Sequence, residues 1–280
     1  MKTLTLVEQR VSGAPRRVLL VGCALIVAIA APLAAQDRPT EAEAAQAAEE
    51  ERAQANNPLA SAYALNLQNY YVPTLFDVPD ESINTAWLRG VIPIGRTVTR
   101  ASLPLASRPS GSGESVSGLG DFNVFTAYLL VSKPTLSLGL GPLIVAPTAT
   151  DDALGQGKWQ AGAAAVVFYV TRAVQVGGLL TWQGSFAGDS DRPSTSIFAT
   201  QPFAVWQLGK GTYLRSTGIW SFDLKSGDYS VPIGFGIGQV LKAGGIVYNI
   251  FFEPQFTILH DGAGQPEVQL FAGLNLQFPK

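Results

Sequence analysis

The stretch Glu267-Val-Gln-Leu-Phe-Ala-Gly-Leu-Asn-Leu-Gln-Phe278 decides the fold. Drawn out as a strand, it puts Val268, Leu270, Ala272, Leu274, Leu276 and Phe278 on one side. Glu267, Gln269, Phe271, Gly273, Asn275 and Gln277 fall on the other, because successive strand side chains point to opposite faces. Half-buried strands of soluble proteins alternate in the same way but are usually about half as long. A strand that crosses a bilayer in a barrel needs roughly 9–11 residues, apolar outside and polar inside, with an aromatic residue at the interface. The stretch meets each condition, with Phe278 at the interface, so it predicts a wall strand that closes a barrel.

Working outward, the pattern repeats. Twelve strands are predicted, at 62–75, 83–94, 97–106, 118–131, 134–147, 159–171, 173–187, 196–207, 211–223, 230–241, 244–258 and 266–278. The gaps alternate between short ones (such as Gly95-Arg96, Ser132-Lys133, Arg172 and Gly209-Lys210) and longer polar ones at 76–82, 107–117, 148–158, 188–195, 224–229 and 259–265. Short periplasmic turns alternating with long outer loops are the outer-membrane arrangement, and an even count returns both ends to the periplasmic side. In 244–258, Ile246, Tyr248, Ile250, Phe252, Phe256 and Ile258 are expected to face lipid, opposite Asn249, Glu253, Gln255 and Thr257. In 230–241 the inward side, Pro232, Gly234, Gly236 and Gly238, is nearly bare backbone. Strand 159–171, rich in Ala and Val, shows no clear alternation, and its facing is not assigned.

Composition agrees. Only 14% of the 280 residues are charged, against about 25% in ordinary soluble proteins. One run is apolar enough for a membrane helix, Val18 to Ala35, and it follows Lys2, Arg10, Arg16 and Arg17. A basic start, an apolar run and small residues at Ala34-Ala35-Gln36 predict a signal peptide over 1–35, the alternative being an uncleaved anchor. The only cysteine, Cys23, lies in that leader, so disulfides and thiolate metal sites are excluded from the mature chain. Removing Lys2, Arg10, Arg16, Arg17 and Glu8 with the leader leaves 15 basic and 20 acidic residues. That balance argues against a nucleic-acid partner, which wants a basic face. Residues 36–56, Ala/Glu-rich, read as a periplasmic extension with a helix starting near Glu41. It has no apolar stripe to bury, so it is expected to be solvated, the alternative being a plug or partner-binding helix.

Charges inside strands are the candidate site. An Arg or Lys facing lipid at the midplane costs about 2–4 kcal/mol, so Arg89, Arg100, Asp121, Arg215 and Glu253 are expected to point into the lumen. There they would form either a charged constriction that selects solutes or a salt-bridge network that closes the barrel. Twelve strands fall between filled eight-strand barrels and open porins of 16–18, so both readings stand. In the loops, Asp151, Asp152, Asp189 and Asp191 are weak calcium candidates, and turn capping explains them as well. His260, the sole histidine, has no obvious serine partner, and there is no P-loop, HExxH or GxSxG, so neither catalysis nor a cofactor is expected.

Several short motifs carry a resemblance: Asn57-Pro-Leu-Ala60, Gly118-Leu-Gly-Asp-Phe-Asn123, Pro147-Thr-Ala-Thr-Asp-Asp152, Gly155-Gln-Gly-Lys-Trp159, Ser185 to Arg192, Gln201-Pro-Phe203, Val231-Pro-Ile-Gly234 and Gln277-Phe-Pro-Lys280. Together, over most of 57–280, the chain resembles a bacterial outer-membrane barrel family labelled as transporters of the meta-pathway of phenol degradation and, misleadingly, as neuromedin U. The resemblance implies a signal peptide, an outer-membrane β-barrel and uptake of small solutes, aromatic ones among them. It supplies no catalytic residues and no defined substrate. Pro279-Lys280 extend past Phe278, whereas the signal read by the barrel assembly machinery ordinarily ends on the aromatic. The expectation is therefore an all-β chain, a transmembrane antiparallel up-and-down barrel of about twelve strands over 57–280 with a short N-terminal helical extension. It would sit in the lipid of a Gram-negative outer membrane as a small-solute channel or transporter, or else as a non-conducting structural or interaction barrel.

Overall fold

The computed structural model describes residues 40–59, 62–110, 114–171 and 173–278. The expected leader with Cys23, the turn residue Arg172 and the tail Pro279-Lys280 lie outside them. A helix, α1 (Glu41–Gln54), precedes the strands β1 (Tyr63–Leu75), β2 (Ile83–Ile94), β3 (Thr97–Pro109), β4 (Ser115–Leu119), β5 (Phe122–Ser132), β6 (Leu136–Ala146) and β7 (Lys158–Val170). Then come β8 (Val174–Gly188), β9 (Ser196–Gly209), β10 (Thr212–Ser216), β11 (Trp220–Asp223), β12 (Tyr229–Gly234), β13 (Gly236–Ala243), β14 (Ile246–Asp261) and β15 (Pro266–Phe278). β4 and β5 both pair with β3, β10 and β11 both pair with β9, and β12 and β13 both pair with β14. Each of those couples is one interrupted stave, so the wall is a closed antiparallel barrel of twelve staves. β15 closes it, pairing with β14 on one side and with β1 on the other, with Tyr63 opposite Phe278 and Leu67 opposite Leu274.

Period-two alternation explains the wall. Leu65, Leu67, Leu88, Ile92, Ile250 and Phe252 are exposed on the outside, while Val72, Val98, Asn249, Phe251 and Glu253 are buried within. Exposed aromatics mark two bands, with Tyr63, Tyr128, Tyr169 and Trp206 near the short turns and Tyr71, Trp159, Trp182 and Phe186 toward the long loops. From Trp159 to Tyr169, ten steps of ~3.3 Å at a tilt of ~40° rise about 25 Å, the height of the apolar band of a membrane barrel. In β7, whose facing was not assigned from sequence, Gln160, Ala164, Val166 and Phe168 point inward and Trp159 and Tyr169 outward. Its lumen face is apolar because something packs on it.

What packs there is the chain just before β1. α1 is polar on all sides, with Gln46 donating to Glu50 and Arg52 paired with Glu49 at 2.9 Å. It docks at the short-turn end of the barrel, where Glu49 accepts from the backbone N–H of Lys210 at 2.8 Å. Residues 55–59 then cross the lumen as a strap. Ala55 packs with Val205, Tyr213, Val240 and Val247, and Leu59 with Val98, Leu129 and Val166 on the far wall. The Ala55 carbonyl accepts from Gln277 at 3.0 Å and from Asn249 at 3.4 Å. The extension over 36–56 was expected to be solvated, with a plug or partner-binding helix as the alternative, and Ala55 at its end is buried in the lumen.

The bare inner face of β12–β13 also has a purpose. A Cβ on Gly238 would lie 2.2 Å from the Tyr213 ring, and one on Gly234 1.9 Å from Glu253 Oε1. Tyr213 is fully buried and donates to Asn249, so it has nowhere to retreat. Gly238→Ala is expected to destabilise the barrel by about 1–3 kcal/mol through overpacking. Gly90→Ala, where a Cβ meets nothing within 4 Å, should stay within about 0.5 kcal/mol. Urea unfolding of the two variants in lipid vesicles checks the contrast.

Candidate functional site: the lumen

Strand register sorts the lumen into layers. β2 runs from the long-loop end to the short-turn end and β3 runs back, with Val91 opposite Arg100 and Arg89 opposite Ser102. Along the strands Val98 therefore lies toward the short turns, the pairs Val91–Arg100 and Arg89–Ser102 at mid-height, and Trp87 on the long-loop side. Two cavities follow this order. One, of about 180 Å³, lies between the strap and the arginines; the other, of about 150 Å³, lies beyond them, and Arg89, Arg100, Phe125, Leu179 and Gln201 line both.

The three lumen arginines are not equivalent. Arg215 Nε donates to Glu253 Oε2 at 2.7 Å, and its guanidinium sits 3.7 Å from the centre of the Phe251 ring. Glu253 is fully buried and accepts three further hydrogen bonds, from the Thr217 backbone N–H (2.6 Å), the Thr217 hydroxyl (2.7 Å) and the Gln255 amide (3.1 Å). The Thr217 bonds explain the interruption between β10 and β11: a carboxylate replaces the lost sheet partner. A buried ion pair is tolerated when its remaining hydrogen-bonding capacity is filled in this way. Arg89 and Arg100 have no such partner. Arg89 donates to Gln68, whose own amide NH2 is spent on Asn275. The Arg100 side chain makes no hydrogen bond among the described residues, and the Nε atoms of both arginines are buried and unsatisfied. Arg89 lies over Trp87 and Arg100 over Phe125, each 4.6 Å from the ring centre. Nearby, Tyr70 stacks on Phe271 at 4.1 Å.

Asp121 is not part of this group. It sits in the break between β4 and β5 at the long-loop end, where its carboxylate accepts from the backbone N–H groups of Ala149 (3.2 Å) and Gln156 (2.7 Å) and pins the 148–158 loop. Among the loop carboxylates, Asp151 accepts from Ala153 N, Asp189 from Asp191 N, and Asp152 pairs with Arg192 at 3.7 Å. No group of three potential ligands gathers among the described residues. His260 stacks on Phe76 at 3.5 Å, while Ser230, opposite it in register, shares a hydrogen bond with Thr257. Sequence reasoning missed Gln68, Thr217 and Ser102, which are uncharged. It also missed the aromatic shelves, although Trp87 shares the inward parity of Arg89 and could have been found that way.

No protein-family model and no curated protein matches the chain. Among solved structures, it is similar to an outer membrane channel from Pseudomonas putida F1, at TM-score 0.57 and 13% identity over 79% of this chain and 97% of that one. It is also similar to the NanC porin, at TM-score 0.51 and 8% identity over 77% and 100% of the two chains. At such identities the likeness concerns the fold, an outer-membrane β-barrel.

Proposed function

We propose that the protein is an outer-membrane channel for small solutes whose lumen favours anions. The leader over 1–35 exports it, the barrel assembly machinery inserts it, and α1 lies on the periplasmic side. One observation carries the reading: Glu253 is neutralised by Arg215, while Arg89 and Arg100 face both cavities with no carboxylate among the described residues. At water-like dielectric a unit charge ~5 Å away is worth about 0.8 kcal/mol to a monovalent ion, so two such charges favour an anion by more than about 1 kcal/mol. Salt screening trims that figure in open water and less in a narrow lumen. Reversal potentials across planar bilayers under a KCl gradient test it. The intact protein should prefer chloride, and the Arg89→Gln/Arg100→Gln double variant should lose most of that preference. Cation selectivity in the intact protein would overturn the proposal.

The strap favours a second reading, a barrel closed at its short-turn half that does not conduct. A preparation that shifts with heating on gels as a folded barrel does, yet carries no current, would support it.

A further inference from the structure

The geometry points to a binding site for a small monocarboxylate with an apolar body, held in the cavity on the long-loop side of Arg89 and Arg100. This deepens the anion-channel reading and rests on it. Charge is the first argument. Two guanidinium groups share a chamber lined by no carboxylate, and the Arg100 guanidinium makes no hydrogen bond among the described residues, its Nε buried and unsatisfied. Cations held away from bulk water need a counter-charge, and the planar fork of an arginine fits a carboxylate through two parallel hydrogen bonds. Ser102 adds a third donor on the same wall. It is fully buried, its hydroxyl is unsatisfied, and it stands opposite Arg89 in register.

The second argument is orientation. Across the chamber, the amide NH2 groups of Gln183 and Gln201 are already committed to Gln160 and to the Thr217 carbonyl. Both cationic donors thus sit on the β2–β3 wall, with the Asn123 amide opposite Ser102 in register and the Thr181 hydroxyl the one uncharged donor left facing them, which fixes where the carboxylate sits. The rest of the chamber tells what the other end of the ligand is. Trp87, Phe125, Leu143, Leu179 and Ile219 line it, and the first two also hold the guanidinium groups by their ring faces. The volume, about 150 Å³, is an order of magnitude beyond the roughly 10–15 Å³ that one water needs. An inorganic ion would leave that apolar wall wet, whereas a hydrocarbon body covers it.

Calorimetric titration of the full-length barrel in detergent tests this with four probes, hexanoate, acetate, hexanamide and inorganic phosphate. Hexanoate should bind saturably at one site, acetate at least about tenfold more weakly because it lacks the apolar body, and hexanamide not measurably. Arg100→Gln should abolish the hexanoate isotherm, Arg100→Lys should keep part of it, and Ser102→Ala should weaken it. If Arg100→Gln does not fold, Arg89→Gln takes its place. A hexanoate signal that survives the arginine substitutions is partition into micelles and overturns the site. Inorganic phosphate binding as tightly as hexanoate overturns the assignment to an organic carboxylate. The titration needs no current, so a silent or unselective channel sinks the transport reading alone, and a selective channel without a hexanoate isotherm sinks this one alone.

Discussion

Glu253→Gln is expected to cost about 3–5 kcal/mol of unfolding free energy, because it leaves Arg215 buried without its counter-charge. The same substitution should raise the anion preference of the channel, since it removes the one carboxylate among the lumen charges. Stability and selectivity therefore move in opposite directions, which separates an electrostatic role from general damage. Denaturant unfolding in vesicles gives the first quantity and reversal potential the second. A variant as stable as the parent would mean that the four hydrogen bonds to Glu253 contribute little, and the closed network would lose its anchor. A double variant, Arg215→Met with Glu253→Gln, should recover part of the loss, because it leaves neither charge buried without its partner.

Deleting residues 41–59, which removes α1 and the strap and leaves every wall strand intact, should raise single-channel conductance several-fold. The strap fills the short-turn half of the lumen and is held by Ala55 and Leu59, both 5% exposed. The deletion exposes Val98, Leu129 and Val166 to the lumen. Some stability should be lost with the Leu59 contacts, on the scale of about 2–5 kcal/mol seen for emptied leucine sites. Unchanged conductance would place the limiting constriction at the arginines instead. A silent intact protein that conducts after the deletion would show that the barrel is held shut by its own N-terminal segment.

Most of the wall was legible in the sequence because a lipid-facing side must be apolar and a wet side polar, which leaves a period-two signature in β1, β8, β14 and β15. The signature fails where both faces are apolar. β7 could not be oriented because its inward face is apolar too: Ala164 packs with Phe125, Val166 with Leu59, and Phe168 lies against Phe203. The strap itself was illegible for a related reason: residues 55–59 are too few to show a period, and their burial depends on walls far away in sequence. For the candidate site, charge singled out Arg89, Arg100, Arg215 and Glu253 through the cost of placing them in lipid. It was no guide to pairing. Asp121 looks like a partner on parity alone, yet it lies at the break in its stave, where a carboxylate caps a loop. Nothing local tells a capping aspartate from a lumen one.

The seam between β1 and β15 joins Tyr63 to Phe278, residues more than two hundred positions apart. Such a pairing closes a loop spanning nearly the whole barrel, so loop-closure entropy makes it the expected last contact to form. Until it does, the chain is an open ribbon with two raw edges, each a template for pairing with another copy. Insertion thus becomes a race between self-sealing and aggregation, decided by how quickly the C-terminal strand finds its mate.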